Sequence, residues 1–395
     1  VWDDLTRDVL DGGNYSGSDR WSSCSYGDWF IFSNGVDAIQ KWDGNLLNKA
    51  GALSGTSLRP QLVMTFGAHL VCAADAADPD GDVGLKKFSW SAVGDPTDFT
   101  SPTSGSAYVY EGSGGIQSIA TLTRDTIAVY KDNSVHLIEY VAAPMYFSFR
   151  TSLSGVGVYA RNGVAPVGNT HIVLTNNGLR SFDGASVTPF GPEIEPVLST
   201  LYPNDNAEFA QLVHDTYANQ LWLFLPSAGT DWHFTSAFVY SYKDQSWSYQ
   251  TGFDSYSICL IRMGTESDTF RLIFSDMLTS LYKQDPNATT RHGDPYVSTV
   301  ETAMVCPGFI LFQIPTTNVE LVQLDVGTDY GSPDIYVGVS DGGDHSITWH
   351  GPYTIDANGH VYTTVCGRWF TFRIEDTDGF SVHTLTPWFV RRGVV

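Results

Sequence analysis

Hydrophobic and polar residues alternate along most of the chain with a period of two, in short runs rich in β-branched and aromatic residues. That is the pattern of strands, and the runs come in pairs around turn signals. In "GDWFIFSNGVDAIQKWDG", residues 27–44, it predicts a strand through Trp29–Phe32, a turn at Ser33-Asn34-Gly35, and a second strand over Ala38–Trp42 closed by Asp43-Gly44. "GVAPVGNTHIVLTNNGLRSFDG" repeats that form: strand, Asn-Gly turn, strand, aromatic-Asp-Gly. Four further units have the same texture: "PQLVMTF" with "AHLVCAAD" and "KKFSWSAVGDPTDF", "GIQSIATLTRDTIAVYKDNSVHLIEY", "AQLVHDTYANQLWLFLPS" with "SAFVYSYKDQSWSYQ", and "ICLIRMGTESDTFRLIFSDMLTSLYKQD". About six units of three or four antiparallel strands, ~40–50 residues apart, predict a β-propeller. We place an N-terminal arm at residues 1–20 and an approximately six-bladed propeller at 21–312.

One stretch breaks the period. "GPEIEPVLSTLY", residues 191–202, has Pro192 at a first helical position and acids in the first turn. It predicts a short helix with Ile194, Val197, Leu198 and Leu201 facing inward. Past residue 312 the strands become evenly spaced: "NVELVQLDVG", "DIYVGVS", "GHVYTTV", "RWFTFRIE" and "VHTLTPWFV". They predict a β-sandwich-like platform domain over 313–395, with the boundary at 312–318 around "FQIPTTN".

Length and charge narrow the function. The 395 residues exceed the ~250–300 at which a single core stops growing. Charged residues are only 16% and the net charge is −22. Basic residues never cluster beyond two in a row (Lys86-Lys87, Arg391-Arg392). Tight nucleic-acid binding needs a basic stripe and is not expected, whereas a chain that lines a conduit and repels nucleic acid is compatible with this charge. The five cysteines, Cys24, Cys72, Cys259, Cys306 and Cys366, form no C-x-x-C pair. We read them as buried free thiols. No apolar run approaches the ~18 residues of a membrane helix.

Several stretches suggest chemistry. "GVSDG", Gly338 to Gly342, fits the G-x-S-x-G pattern with Ser340 as nucleophile. A nucleophile elbow needs a helix leaving it, and "DHSITWHGPY" reads as strand. "SDGGDHSITW" also approximates the sialidase Asp-box, with Asp341, Gly343, Thr348 and Trp349, but three residues separate Gly343 from Thr348 where the pattern has one. A sialidase gathers arginines; Arg124, Arg150, Arg180, Arg262 and Arg271 are available without a local signature. Asp78, Asp80 and Asp82 alternate as in a calcium loop, yet Val83 stands where the glycine belongs and Ser89 where the closing Glu belongs. The ten histidines show no metal-site spacing. Asn14-Tyr15-Ser16 and Asn287-Ala288-Thr289 match glycosylation sequons. We expect no catalytic, cofactor or metal residues, and no enzyme.

"NGVDAIQKWDG", "FSWSAVGDPTDF", "TLTRDTIAVYKDNSVHLIEY" and "NTHIVLTNNGLRSFDG" resemble bacteriophage tail proteins of the podovirus nozzle class (tubular, head-stabilising). The phrase W-S-x-x-G-D-P-x-x-F, Trp90 to Phe99, is similar to a blade turn of that family, and "GRWFTFRI" to its C-terminal domain. The likeness runs from about residue 21 to 392. It implies a virion structural protein: a ring, usually a homohexamer, below the portal and adaptor, with genomic DNA passing through its lumen and tail fibres or spikes as possible neighbours. The long loops 74–86, 227–235 and 284–297 are candidates for a channel constriction. Two alternatives stand beside it, a receptor- or glycan-binding tail propeller, with "DQSWSYQ" as an aromatic sugar platform, and a sialidase-like glycosidase.

Overall fold

The computed structural model describes residues 14–16, 20–141, 143, 145–201, 205–229, 232–262, 270–275, 281–283, 290–291, 294–295, 298–302, 304, 306–307, 319–341, 346–377 and 381–391. The chain divides into two compact units, Val1–Gln284 and Asp285–Val395.

In the first unit antiparallel meanders follow one another, spanning 22–52, 60–108, 116–154, 164–189, 211–255 and 257–283. The first five have four strands each, and the last shows three among the described residues. Every strand pairs with its neighbour in sequence. The first strands of successive sheets are themselves neighbours: Ser22–Tyr26 lies beside Pro60–Phe66, then come Ile116–Thr123, Val164–Val167, Gln211–Asp215 and Ser257–Arg262. This is a propeller-like, all-β arrangement.

The cores sit between sheets, which explains why the strands read as near-continuous apolar runs. Ile31 and Leu53 of the first sheet pack on Leu70 and Cys72 of the second. Val71 and Phe88 of the second meet Ile127 and Ile138 of the third, and Tyr130 of the third meets Phe182 of the fourth. Leu174 and Leu179 meet Leu221 and Leu223 of the fifth, whose other face sets Trp222 and Phe224 against Ile258 and Leu272. Alternate residues of one strand therefore serve two different cores, and His69–Asp75 is buried throughout. Each such side chain contributes about 1.5–3 kcal/mol of apolar burial.

The helix is shorter than its sequence suggests, Glu195–Leu201. Ile194 and Leu198 are buried in the core between the fourth and fifth sheets, while Val197 is 51% exposed. A start at Glu195 leaves under two turns, and Val197 lies one residue, about 100° of rotation, from the buried position at Leu198.

In the second unit Thr290–Arg291 pairs with Asp294–Pro295, and of two larger sheets one has the order Ser298–Glu301, Trp369–Asp376, Asp334–Ser340, Thr348–Tyr353, and the other His360–Gly367, Val319–Tyr330, Ser381–Arg391. Leu321, Leu324, Val361 and Val365 of one pack on Val337, Val339, Phe370 and Phe372 of the other, so the unit is a sandwich. Ser298–Glu301 pairs with Trp369–Asp376 and belongs to this unit. The division at Gln284 therefore falls before the 312–318 stretch chosen from sequence texture, itself outside the described residues. The short strand carries too weak an alternation to be read from sequence.

Candidate functional site

A cavity of about 730 Å³ opens where the first strands of several sheets begin. Arg20 precedes the first strand of the first sheet, Arg161 that of the fourth, and Glu208 and Phe209 that of the fifth. Trp232 comes from the loop 227–235, so this loop walls the cavity. The described ends of that loop are held by hydrogen bonds: Ser227 N donates to His233 O at 2.8 Å, and the side-chain Asn206 Nδ2 donates to Ser227 O and Gly229 O at 2.8 and 2.7 Å. One side is a stack. The Arg20 guanidinium lies 4.5 Å from the Phe209 ring centre, and Trp232 stacks on Phe209 with ring centres 4.0 Å apart at 13°. Arg20 also meets the Glu208 carboxylate at 2.5 Å. Arg161 makes no ion pair among the described residues, although the Glu208 carboxylate is near enough to favour its charge. Its Nη2 donates to the Gln61 carboxamide oxygen, and its Nε–H is buried without an acceptor among the described residues. Burial, with Arg20 nearby, pushes the Arg161 guanidinium down to about 10 from its ordinary value.

The residues nominated from sequence are distributed otherwise. Arg150 pairs with Glu139 at 2.9 Å, and Arg180 with Glu195 at 3.3 Å. Arg124 is exposed at a turn, and the side chains of Arg262 and Arg271 lie outside the description. The arginines that the cavity collects, Arg20 and Arg161, carry no motif. They come together only because strand entries from distant sheets meet.

The three aspartates of the suspected calcium loop do not converge. Asp78 is buried and bonded to Lys87 Nζ at 2.8 Å and to the Tyr108 hydroxyl at 3.1 Å, whereas Asp80 and Asp82 are exposed on a 3₁₀ turn. Lys87 and the Asp80 amide hold the Asp78 carboxyl below the usual range. An ammonium thus stands where a cation was expected. No cluster of three metal-ligating groups occurs among the described residues.

Ser340 ends the strand Asp334–Ser340, pairs with Trp369, and is 3% exposed. Its hydroxyl has no partner among the described residues. The next described element is a strand, Thr348–Tyr353, rather than the helix of a nucleophile elbow. Asp341 accepts the Arg368 amide at 3.0 Å, and Trp349 lies half-buried under the Arg373 guanidinium at 4.0 Å, so the ring sits at the sandwich surface and not in its core. Gly342, Gly343 and His345 lie outside the described residues, as does most of the loop 284–297.

Trp247 of "DQSWSYQ" packs on Phe190 and Tyr240, leaving Tyr249 exposed. None of the five cysteines is in a disulfide; Cys72 and Cys306 are buried, but Cys259 is exposed. One arrangement on the second unit escaped sequence reading. Asp325 accepts His360 Nδ1 at 2.7 Å, Trp388 Nε1 at 2.7 Å and Gln323 Nε2 at 2.6 Å. These donors lower its carboxyl. They orient an imidazole to which no hydroxyl or thiol bonds among the described residues.

The phrase Trp90–Phe99 is a latch between sheets. Trp90 packs edge-on against Phe147 at 5.0 Å. Asp95 accepts the Thr97 amide at 2.9 Å, and Asp98 accepts those of Thr100 and Ser101 at 2.8 and 3.0 Å. The Ser101 hydroxyl and these amides hold the Asp98 carboxyl far below the usual range. Phe99 packs into the core between the first and second sheets.

No protein-family model and no curated protein matches the chain. Among solved structures, it is similar to the extracellular domain of BT3049 from B. thetaiotaomicron, at 12% identity over 92% of this chain and 48% of that one, with a TM-score of 0.44. It therefore spans about half the length of that structure. It is also similar to the computationally designed Ika8 protein, at 9% identity over 66% of this chain and 69% of that one, with a TM-score of 0.38. Neither likeness bears on what this chain does.

Proposed function

We propose that the chain is a virion structural protein, one subunit of a tail-nozzle ring that forms and closes the DNA-ejection channel below a portal and adaptor, with its meanders as the blades of an approximately six-bladed propeller. The observation that carries this reading is the placement of the stretches that resemble the nozzle family. "FSWSAVGDPTDF" is the latch between sheets, and "TLTRDTIAVYKDNSVHLIEY" and "NTHIVLTNNGLRSFDG" contain the strands of the third and fourth sheets. These residues serve packing, as a ring segment requires. The net charge of −22 supports a surface from which DNA slides rather than sticks. The test is electron microscopy of the native particle with an antibody to this chain. A ring of identical copies at the tail base is expected. A label found only at the tail tip, or a purified monomer that cleaves glycans, would overturn the reading.

A further inference from the structure

The cavity at the strand entries gathers two arginines, Arg20 and Arg161, against one carboxylate, Glu208, in a strongly acidic protein. Several cations find carboxylates: Arg20, Lys87, Arg150, Arg180 and Arg373 each meet one at 2.5 to 3.3 Å, whereas buried Lys131 is held by carbonyls. Acids outnumber bases 43 to 21, so a carboxylate was available in composition. Among the described residues Arg161 nevertheless bonds only to the Gln61 carboxamide, with one N–H orphaned. Burying a guanidinium unpaired is costly, and an arriving anion relieves that cost. The walls suit a ring bearing hydroxyls. Trp232 supplies an aromatic surface, and the Asn162 carboxamide, exposed at the rim, and the Glu208 carboxylate supply polar contacts. The volume lies within the ~300–1,000 Å³ of small-molecule sites.

We infer that this cavity binds an acidic monosaccharide of the uronic-acid class, its carboxylate seated against Arg161. The inference is independent of ring assembly and concerns the first unit alone.

The test is calorimetric titration of the purified protein with glucuronate, with glucose as neutral control. Saturable glucuronate binding that weakens with salt is expected, and none with glucose. Arg161→Gln should weaken it by about tenfold or more. Glu208→Gln removes the one carboxylate that shares the cavity with Arg161, so it should tighten binding several-fold. A misfolded variant cannot mimic that gain. Absent glucuronate binding, equal binding of glucose, or unchanged affinity in Glu208→Gln would each overturn the inference. A protein that binds no acid can still form rings, so the two readings fail separately.

Discussion

The Tyr130 hydroxyl donates to His171 Nδ1 at 2.7 Å across two sheets. Both residues are buried. His171 Nε2 faces the Thr121 carbonyl at 2.9 Å, and a carbonyl can only accept. The proton therefore sits on Nε2, which makes Nδ1 the acceptor for tyrosine. Tyr130→Phe should cost about 1–3 kcal/mol, because it leaves Nδ1 buried and unpaired. Urea denaturation measures this, and a cycle with a His171 variant should show the two effects to be non-additive.

The same imidazole predicts acid sensitivity. Burial lowers the pKa of His171, and also that of His136. A depressed folded value means that the neutral form is favoured. Its stabilisation is complete above the unfolded pKa of about 6.5 and is lost as pH falls through the folded value. Stability should drop between neutral pH and pH ~5, before the low-lying aspartates such as Asp98 protonate. His171→Gln should flatten that slope, and equal slopes in both proteins would count against the assignment.

Lys131 is fully buried, and its Nζ donates to the carbonyls of Val109, Glu111 and Gly112 at 3.0, 2.7 and 3.0 Å. A loop thus wraps an ammonium. Gly112, at φ +80°, has Ser134 Oγ 2.0 Å from where a Cβ would stand. Lys131→Met should cost about 2–4 kcal/mol by stripping the carbonyls of their donor. Hydrogen exchange should accelerate around 109–115 first.

Gly55 adopts φ +80°, and a Cβ there would lie 2.3 Å from the Thr97 carbonyl oxygen in the Trp90–Phe99 latch. Gly55→Ala should destabilise by about 2–4 kcal/mol, combining backbone strain with displacement of the latch. A melting curve tests it.

Ser340→Ala should be nearly neutral, within about 0.5 kcal/mol, since the buried hydroxyl has no partner to lose. Trp349→Ala should cost about 1–2 kcal/mol for a half-buried ring and its Arg373 contact. Phe370→Ala, fully buried between the two sheets, should cost about 3–5 kcal/mol.

These residues also show what alternation and spacing reveal. The strands around Ser33-Asn34-Gly35 and before Gly178 were legible because turn chemistry is local: Asn34 Oδ1 accepts the amides of Val36 and Asp37 at 3.0 and 2.8 Å, three residues away at most. Trp349 is only half-buried because its strand lies at the sheet edge, and an edge strand has the same period as a central one. The calcium pattern at Asp78 was overridden by Lys87, nine residues on. The cavity draws on positions 20, 161, 208 and 232, whose proximity depends on how several sheets meet, and no spacing in one chain encodes that.

The meanders have a consequence for how the protein is made. Every sheet of the first unit is built from one contiguous stretch, so its pairings close short loops. A chain emerging from the ribosome can finish each sheet before the next is synthesised. Bonds such as Tyr130 to His171 wait for the following sheet, and thus record the order of assembly as a series of locks, each fastened by the newest arrival.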